Sequence, residues 1–181
     1  NQKKESKMKE LTLPLTKEQV KSLHAGDSVS ISGVILTARD CAHKRIKEYI
    51  EAGTPLPFEI KDAIIYYAGP CPAKPGMASG SCGPTTSARM DAYAPMLLDL
   101  GLGGMIGKGE MCKEVADALE RNTAVYFAAI GGAGALYGNA IKKSECIAFE
   151  DLLSEAVYRL EVTNFPAVVA MDCYGGNIYR Q

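Results

Sequence analysis

The sequence has no tryptophan and only two histidines, His24 and His43. So few imidazoles speak against a metal centre built from histidine within this chain. Its six cysteines, Cys41, Cys71, Cys82, Cys112, Cys146 and Cys173, include no Cys-x-x-Cys pair. The usual zinc and iron–sulfur spacings are therefore missing, and the thiols read as free rather than as a disulfide frame. No apolar run approaches membrane-spanning length, and the polar N-terminus lacks a signal pattern, so a cytoplasmic location is expected. Charge of one sign is also lacking: 20 Lys and Arg against 21 Asp and Glu leave a net −1. That balance gives no electrostatic case for a nucleic-acid or anionic-membrane partner. The one basic run, Lys3, Lys4, Lys7 and Lys9, lies in a segment over 1–10 expected to be flexible.

What is present suits a single domain over 11–181 with a sizeable core, since 47% of the residues are hydrophobic and 23% charged. KELTLPL alternates like a strand, and Thr16 opens TKEQVKSL as a capped helix. Gly26-Asp27 turns the chain into SVSISGVILTA, a long strand with Gly33 as a place for a bulge. Asp40 reads as the cap of CAHKRIKEYIEAG, whose Ile46, Tyr49 and Ile50 form an apolar stripe. A Pro-rich connector then leads to AIIYYAG, a buried-looking strand.

PCPAKPGMASGSCGP, residues 70–84, concentrates Pro, Gly and Ser and reads as a working loop. The pattern predicts a helix from Thr85 through Met90, Tyr93, Met96, Leu97 and Leu100. Next come a glycine-flanked strand in GLGGMIGKG, a helix over about 110–121 and the strand TAVYFAAIGG. ALYGNAIK reads as a helix, CIAFE as a strand, LLSEAVYRLEVT as helix or strand, and AVVAMDC as the last strand. There is no repeat, and the alternation gives a mixed α/β layered domain.

Three strand ends each offer a cation. LTARDCAHKR brings Arg39 and Asp40 off the long strand, and the planar fork of Arg39 suits a carboxylate, although a solvated helix face would look the same. SCGPTTSARMD sets Pro84 at the expected first turn of a helix, with Thr85 and Arg89 one turn apart on one face. The free N–H groups of that turn would make a small anion-binding corner containing a hydroxyl. A dicarboxylate fits it better than a nucleotide, because no long phosphate cradle is present. MIGKGEM holds Lys108 between two glycines, which leaves its ammonium group reachable. A fourth motif, Gly132-x-Gly134-x-x-x-Gly138 after a strand, has the rough form of a dinucleotide turn. It comes too late in the chain to leave room for a doubly wound sheet, and close helix–strand packing would demand the same small residues.

TARDCAHKR, GPTTSARMD and GKGEM, in that order, with IGGAGALYGNAIK and EVTNFPAVVAMDCYGGNIY, resemble the β subunit or C-terminal domain of class I iron–sulfur fumarases. The L(+)-tartrate dehydratase β subunit is similar, and the resemblance runs from about Leu11 to Tyr179. It implies a swivelling β/β/α domain and a hydro-lyase that interconverts fumarate and (S)-malate. It also implies a [4Fe–4S] cluster held by a partner α subunit rather than by this chain, in a hetero-oligomer such as α2β2. By the same resemblance Arg39 and Arg89 bind a substrate carboxylate, Thr85 is the base at C3, and Lys108 stabilises charge developing on the substrate. The glycine-rich GGAGALYG becomes a packing element, and Cys82, next to Gly83-Pro84, is expected near the substrate and open to alkylation. Tartrate dehydration to oxaloacetate is the nearest alternative. A silent assembly module, which would need none of the four residues, and a nucleotide-binding domain stand further off.

Overall fold

The computed structural model describes residues 7–129 and 134–180. Its first strand, β1 (Lys9–Thr12), begins inside the segment 1–10, so order starts before Leu11. Thr16 then caps α1 (Lys17–Lys21) in a reciprocal capping box. Its hydroxyl accepts the Gln19 N–H at 3.1 Å, and the Gln19 amide oxygen accepts the Thr16 N–H at 2.9 Å.

The long strand β2 (Ser28–Thr37) leads into α2 (Asp40–Glu51), and β3 (Ile64–Tyr66) follows. After the 70–84 loop come α3 (Ala94–Asp99), β4 (Gly104–Gly107), α4 (Lys113–Asn122) and β5 (Val125–Ala128). The chain is completed by α5 (Gly134–Ala140), β6 (Ile141–Ala148) and β7 (Val157–Met171).

Strands β2, β3, β4 and β5 run parallel side by side. β7 lies antiparallel to β2 along one edge and to β5 and β6 along the other. The circuit β2-β3-β4-β5-β7 therefore closes on itself. Because side chains alternate, the closed sheet separates two apolar cores. Ile64, Tyr66, Ile106 and Phe127 point into one, with Ile31 and Phe165. Ile65, Tyr67, Met105 and Tyr126 point into the other, against Ile46, Leu97, Val115 and Leu119 of the helices. This is the mixed α/β layering expected. Burial on both faces explains why AIIYYAG reads as an unbroken apolar run.

Gly33 marks a register shift in the β2–β7 pairing, as its place in the long strand suggests. Its φ of +130° and an added Cβ only 2.8 Å from the Leu13 Cβ both require glycine. Gly134 and Gly138 also act through packing. A Cβ on them would stand 2.3 Å from Ser81 Oγ and 2.5 Å from the Gly80 carbonyl oxygen. They let α5 lie directly on the end of the 70–84 loop, whereas Gly132 lies outside the described residues.

The helix predicted from Thr85 is not there. Thr85 donates its N–H to the Tyr67 carbonyl at 2.8 Å, and Thr86, which is extended, pairs with Lys108 in a parallel bridge. Only a 3₁₀ turn, Ser87–Met90, precedes α3. Two of the first-turn N–H groups that were to make an anion corner, those of Thr85 and Ser87, are thus spent on Tyr67 and Lys108. Asp40 is likewise the first residue of α2 rather than its cap, the N-cap position being Arg39.

Candidate functional site

The C-terminal ends of β2, β3 and β4 lie next to one another because the three strands are parallel and adjacent. In α/β sheets, open or closed, ligands bind at the C-terminal ends of parallel strands. Arg39 and Asp40 leave β2 there, Tyr67 and Gly69 follow β3, and Lys108 follows β4. Thr85 returns to the same edge, held by Tyr67, whose own N–H donates to the Ile106 carbonyl at 2.9 Å.

Arg89 links the pieces. Its Nη2 donates to Thr85 Oγ1, and its Nε lies 3.6 Å from Asp40 Oδ2. Among the described residues Nη1 has no partner, so one end of the guanidinium fork faces outward. A threonine hydroxyl that accepts from a guanidinium keeps its own proton for another acceptor, and the adjacent positive charge favours loss of that proton.

Lys108 joins through its backbone. Its N–H donates to Ser87 Oγ at 2.9 Å, and its carbonyl accepts the Ser87 N–H at 2.9 Å. Ser87 Oγ is in turn 2.8 Å from the Tyr126 hydroxyl, which donates to the Gly109 carbonyl at 2.6 Å. These bonds pin the backbone on both sides of Lys108 while its side chain stays exposed. The two flanking glycines serve different ends. A Cβ on Gly107 would stand 1.9 Å from Ser87 Oγ, and Gly109 has a φ of +88°.

Arg39 has a different partner. Its Nε lies 4.0 Å from Glu155 Oε1, and an added Cβ on Gly69 would come within 3.2 Å of its Cδ. The buried side-chain nitrogen and oxygen atoms without a hydrogen-bond partner, among the described residues, are Arg39 Nε, Asp40 Oδ1 and His43 Nε2. All three belong to the junction of β2 and α2. Buried polar atoms without a partner are costly and rare, and these three occur together at one strand end.

Side-chain contacts thus unite Arg89, Thr85 and Asp40, a backbone bridge adds Lys108, and Arg39 adjoins through Asp40. Sequence reasoning missed Asp40 as the Arg89 partner and Glu155 as the Arg39 partner. Glu155 is far away in sequence, and no spacing rule could have found it.

Cys82 is a correction. It is buried beneath the site within the first core, and burial pushes its thiol up to about 12. An alkylating agent needs an exposed thiolate, so Cys82 is not the reactive residue its sequence position suggested. Among the described residues no three His, Cys, Asp or Glu side chains converge as a metal centre requires. The six cysteines are free and dispersed between surface and core. The residues described do not fit as ligands of a [4Fe–4S] cluster, which is held by thiolates from one surface. No described helix is long and apolar enough to cross a membrane.

The sequence matches the family described as Fumarase C-terminus over residues 1–181. The chain belongs to this family. Fumarate hydratase 1, mitochondrial, of Leishmania major is 42% identical over 177 residues, covering 96% of this chain and 31% of that protein. Fumarate hydratase class I, anaerobic, of Escherichia coli strain K12 is 41% identical over 177 residues, with the same 96% and 31%. A putative L(+)-tartrate dehydratase subunit beta of Methanocaldococcus jannaschii is 43% identical over 173 residues, 92% of this chain and 89% of that protein. The chain therefore spans about a third of the fumarate hydratases it matches and most of the tartrate dehydratase subunit. The Fumarase C-terminus match takes in the first ten residues, which the resemblance read from motifs had left out.

Proposed function

We propose that this chain supplies the carboxylate-binding and proton-transfer half of a hydro-lyase site that interconverts fumarate and (S)-malate. The observation that carries the reading is the union of Arg89, Thr85 and Asp40, with Lys108 alongside, at the exposed strand ends of a Fumarase C-terminus domain.

In this reading Arg89 and Arg39 grip one substrate carboxylate, Arg89 through its outward Nη1 group. Both are only loosely paired within the chain, at 3.6 Å to Asp40 and 4.0 Å to Glu155, so a closer carboxylate can replace these contacts. Thr85, deprotonated beside the Arg89 charge and oriented by it, takes the proton from C3 of malate. The C–H electron pair becomes the new double bond as the C2–O bond breaks, the departing hydroxide takes up one proton to leave as water, and the proton gained by Thr85 returns to solvent, so one water is lost overall. Lys108 supplies the charge that stabilises the electron-rich carboxylate formed as the proton leaves. A [4Fe–4S] cluster and the opposite wall of the site belong to a partner α subunit in a hetero-oligomer.

The test is anaerobic co-expression with a cluster-bearing partner, cluster reconstitution, and assays of malate, fumarate and L-tartrate, repeated with Thr85→Ala and Arg89→Ala. The expected result is malate and fumarate turnover that falls on the order of 100-fold or more in both variants. Turnover that is indifferent to both substitutions refutes the site. A second reading, dehydration of L-tartrate to oxaloacetate, is favoured by the 43% identity to the putative tartrate dehydratase subunit. Turnover of tartrate alone would select it, with the same residues in place.

A further inference from the structure

His43 is fully buried on the inner face of α2, and the mechanism above gives it no task. Its Nδ1 lies 2.8 Å from the Arg39 carbonyl oxygen. A carbonyl only accepts, so Nδ1 carries the proton and Nε2 is a bare acceptor. Nε2 is one of the buried atoms left without a partner. An aliphatic side chain would fill this helix face without stranding a polar atom, so what the position uses is the Nδ1–H.

Three segments of the site converge on this ring. The Arg39 carbonyl belongs to the peptide joining Arg39 to Asp40 and also accepts the His43 backbone N–H at 2.9 Å, so the ring adds a second tie to a peptide from which both side chains leave the backbone. The ring meets Tyr67 edge-on at 5.5 Å between centroids, and Tyr67 is the residue whose carbonyl holds the Thr85 N–H. It also packs against Tyr93 at 5.6 Å, four residues beyond Arg89.

We propose that His43 is a positioning residue: its Nδ1–H bond to the Arg39 carbonyl, made from between Tyr67 and Tyr93, sets Arg39, Asp40 and Thr85 in register for one substrate carboxylate. The proposal rests on the half-site reading above. His43 touches no substrate. It acts through the peptide it holds and the two rings it separates.

Asparagine places an amide N–H where imidazole places Nδ1–H, whereas leucine fills the space without a donor. In the assembled enzyme, His43→Leu is expected to lower kcat/KM on the order of 100-fold, mainly through a raised KM, with His43→Asn within about threefold of wild type. The readout independent of turnover is NMR of the chain, following the Arg39 Nε–H and Thr85 amide resonances. Both shift in His43→Leu and return in His43→Asn. If wild type turns over no dicarboxylate, the half-site reading fails, and the resonances alone judge His43. Resonances unmoved in the leucine variant, or moved equally in both, overturn the proposal. Should His43→Leu not fold, the asparagine variant decides: near-wild-type resonances support it and displaced ones refute it.

Discussion

Acidification reads the environment of His43 directly. Burial pushes its imidazole from 6.5 down to about 4, outweighing the Arg39 carbonyl and the Asp40 carboxylate, which both favour the charged ring. In the unfolded chain the ring is in water and titrates at its ordinary value. Between those two values the unfolded state binds a proton that the folded state refuses. The stability contributed by the neutral ring is therefore complete above pH 6.5 and is lost as the pH falls toward 4. The depression corresponds to about 3 kcal/mol over that window. Carboxylates titrate in the same range, so the informative quantity is a difference between two proteins. Urea unfolding of wild type and His43→Asn, from pH 7 to pH 4.5, is expected to show wild type losing about 2–3 kcal/mol more than the variant. Equal losses would show that the ring is hydrated or charged in the fold and would refute the reasoning.

Two further outcomes follow from packing. Gly107→Ala drives a Cβ to 1.9 Å from Ser87 Oγ and 2.8 Å from the Tyr67 ring, so it is expected to destabilise the chain by about 1–3 kcal/mol. An unchanged melting temperature would mean that Ser87 is not clamped against β4. Iodoacetamide on the folded protein should label the exposed Cys41 and Cys71 well before the buried Cys82. Peptide mass spectrometry with Cys82 modified first would contradict the burial.

The elements legible in the sequence are those whose pattern and partners agree. AIIYYAG, MIG and VYF read as strands because central parallel strands are apolar on both faces. Thr16 declared its helix through a cap that needs nothing from elsewhere in the chain. The helix expected from Thr85 failed because Met90, Tyr93 and Leu97 do face a core at helical spacing, while Thr85 and Thr86 answer to Tyr67 and Lys108 instead. Tertiary hydrogen bonds overrode the local pattern. β7 looked interrupted at Asn164-Phe165-Pro166, yet it runs through, the left-handed Asn164 sending its N–H to Ser32 Oγ beside the Gly33 shift. β6 starts earlier than the CIAFE pattern suggests, because Lys142, Lys143 and Ser144 near its start are polar, which suits a strand paired on one edge only. In the site, the short reach from Arg89 to Thr85 was legible from spacing, whereas the roles of Arg39, Thr85, Arg89 and Lys108 rested on the resemblance to class I fumarases. The Arg89–Asp40 and Arg39–Glu155 pairs join distant segments, and only the fold could bring them together.

Because β7 closes the circuit between β2 and β5, the frame of the site is complete only once this last strand is in place. Arg39, Thr85, Arg89 and Lys108 all leave the ribosome before Val157, the first residue of the strand that ties their frame together. Until β7 docks, β2 lacks its longest partner and β5 has a bare edge. Such distant pairings form slowly, since a long loop must close before any of them is rewarded. A chain cut short before Val157 would therefore carry its cationic residues as an unassembled set, with every site residue and no closed frame to hold them.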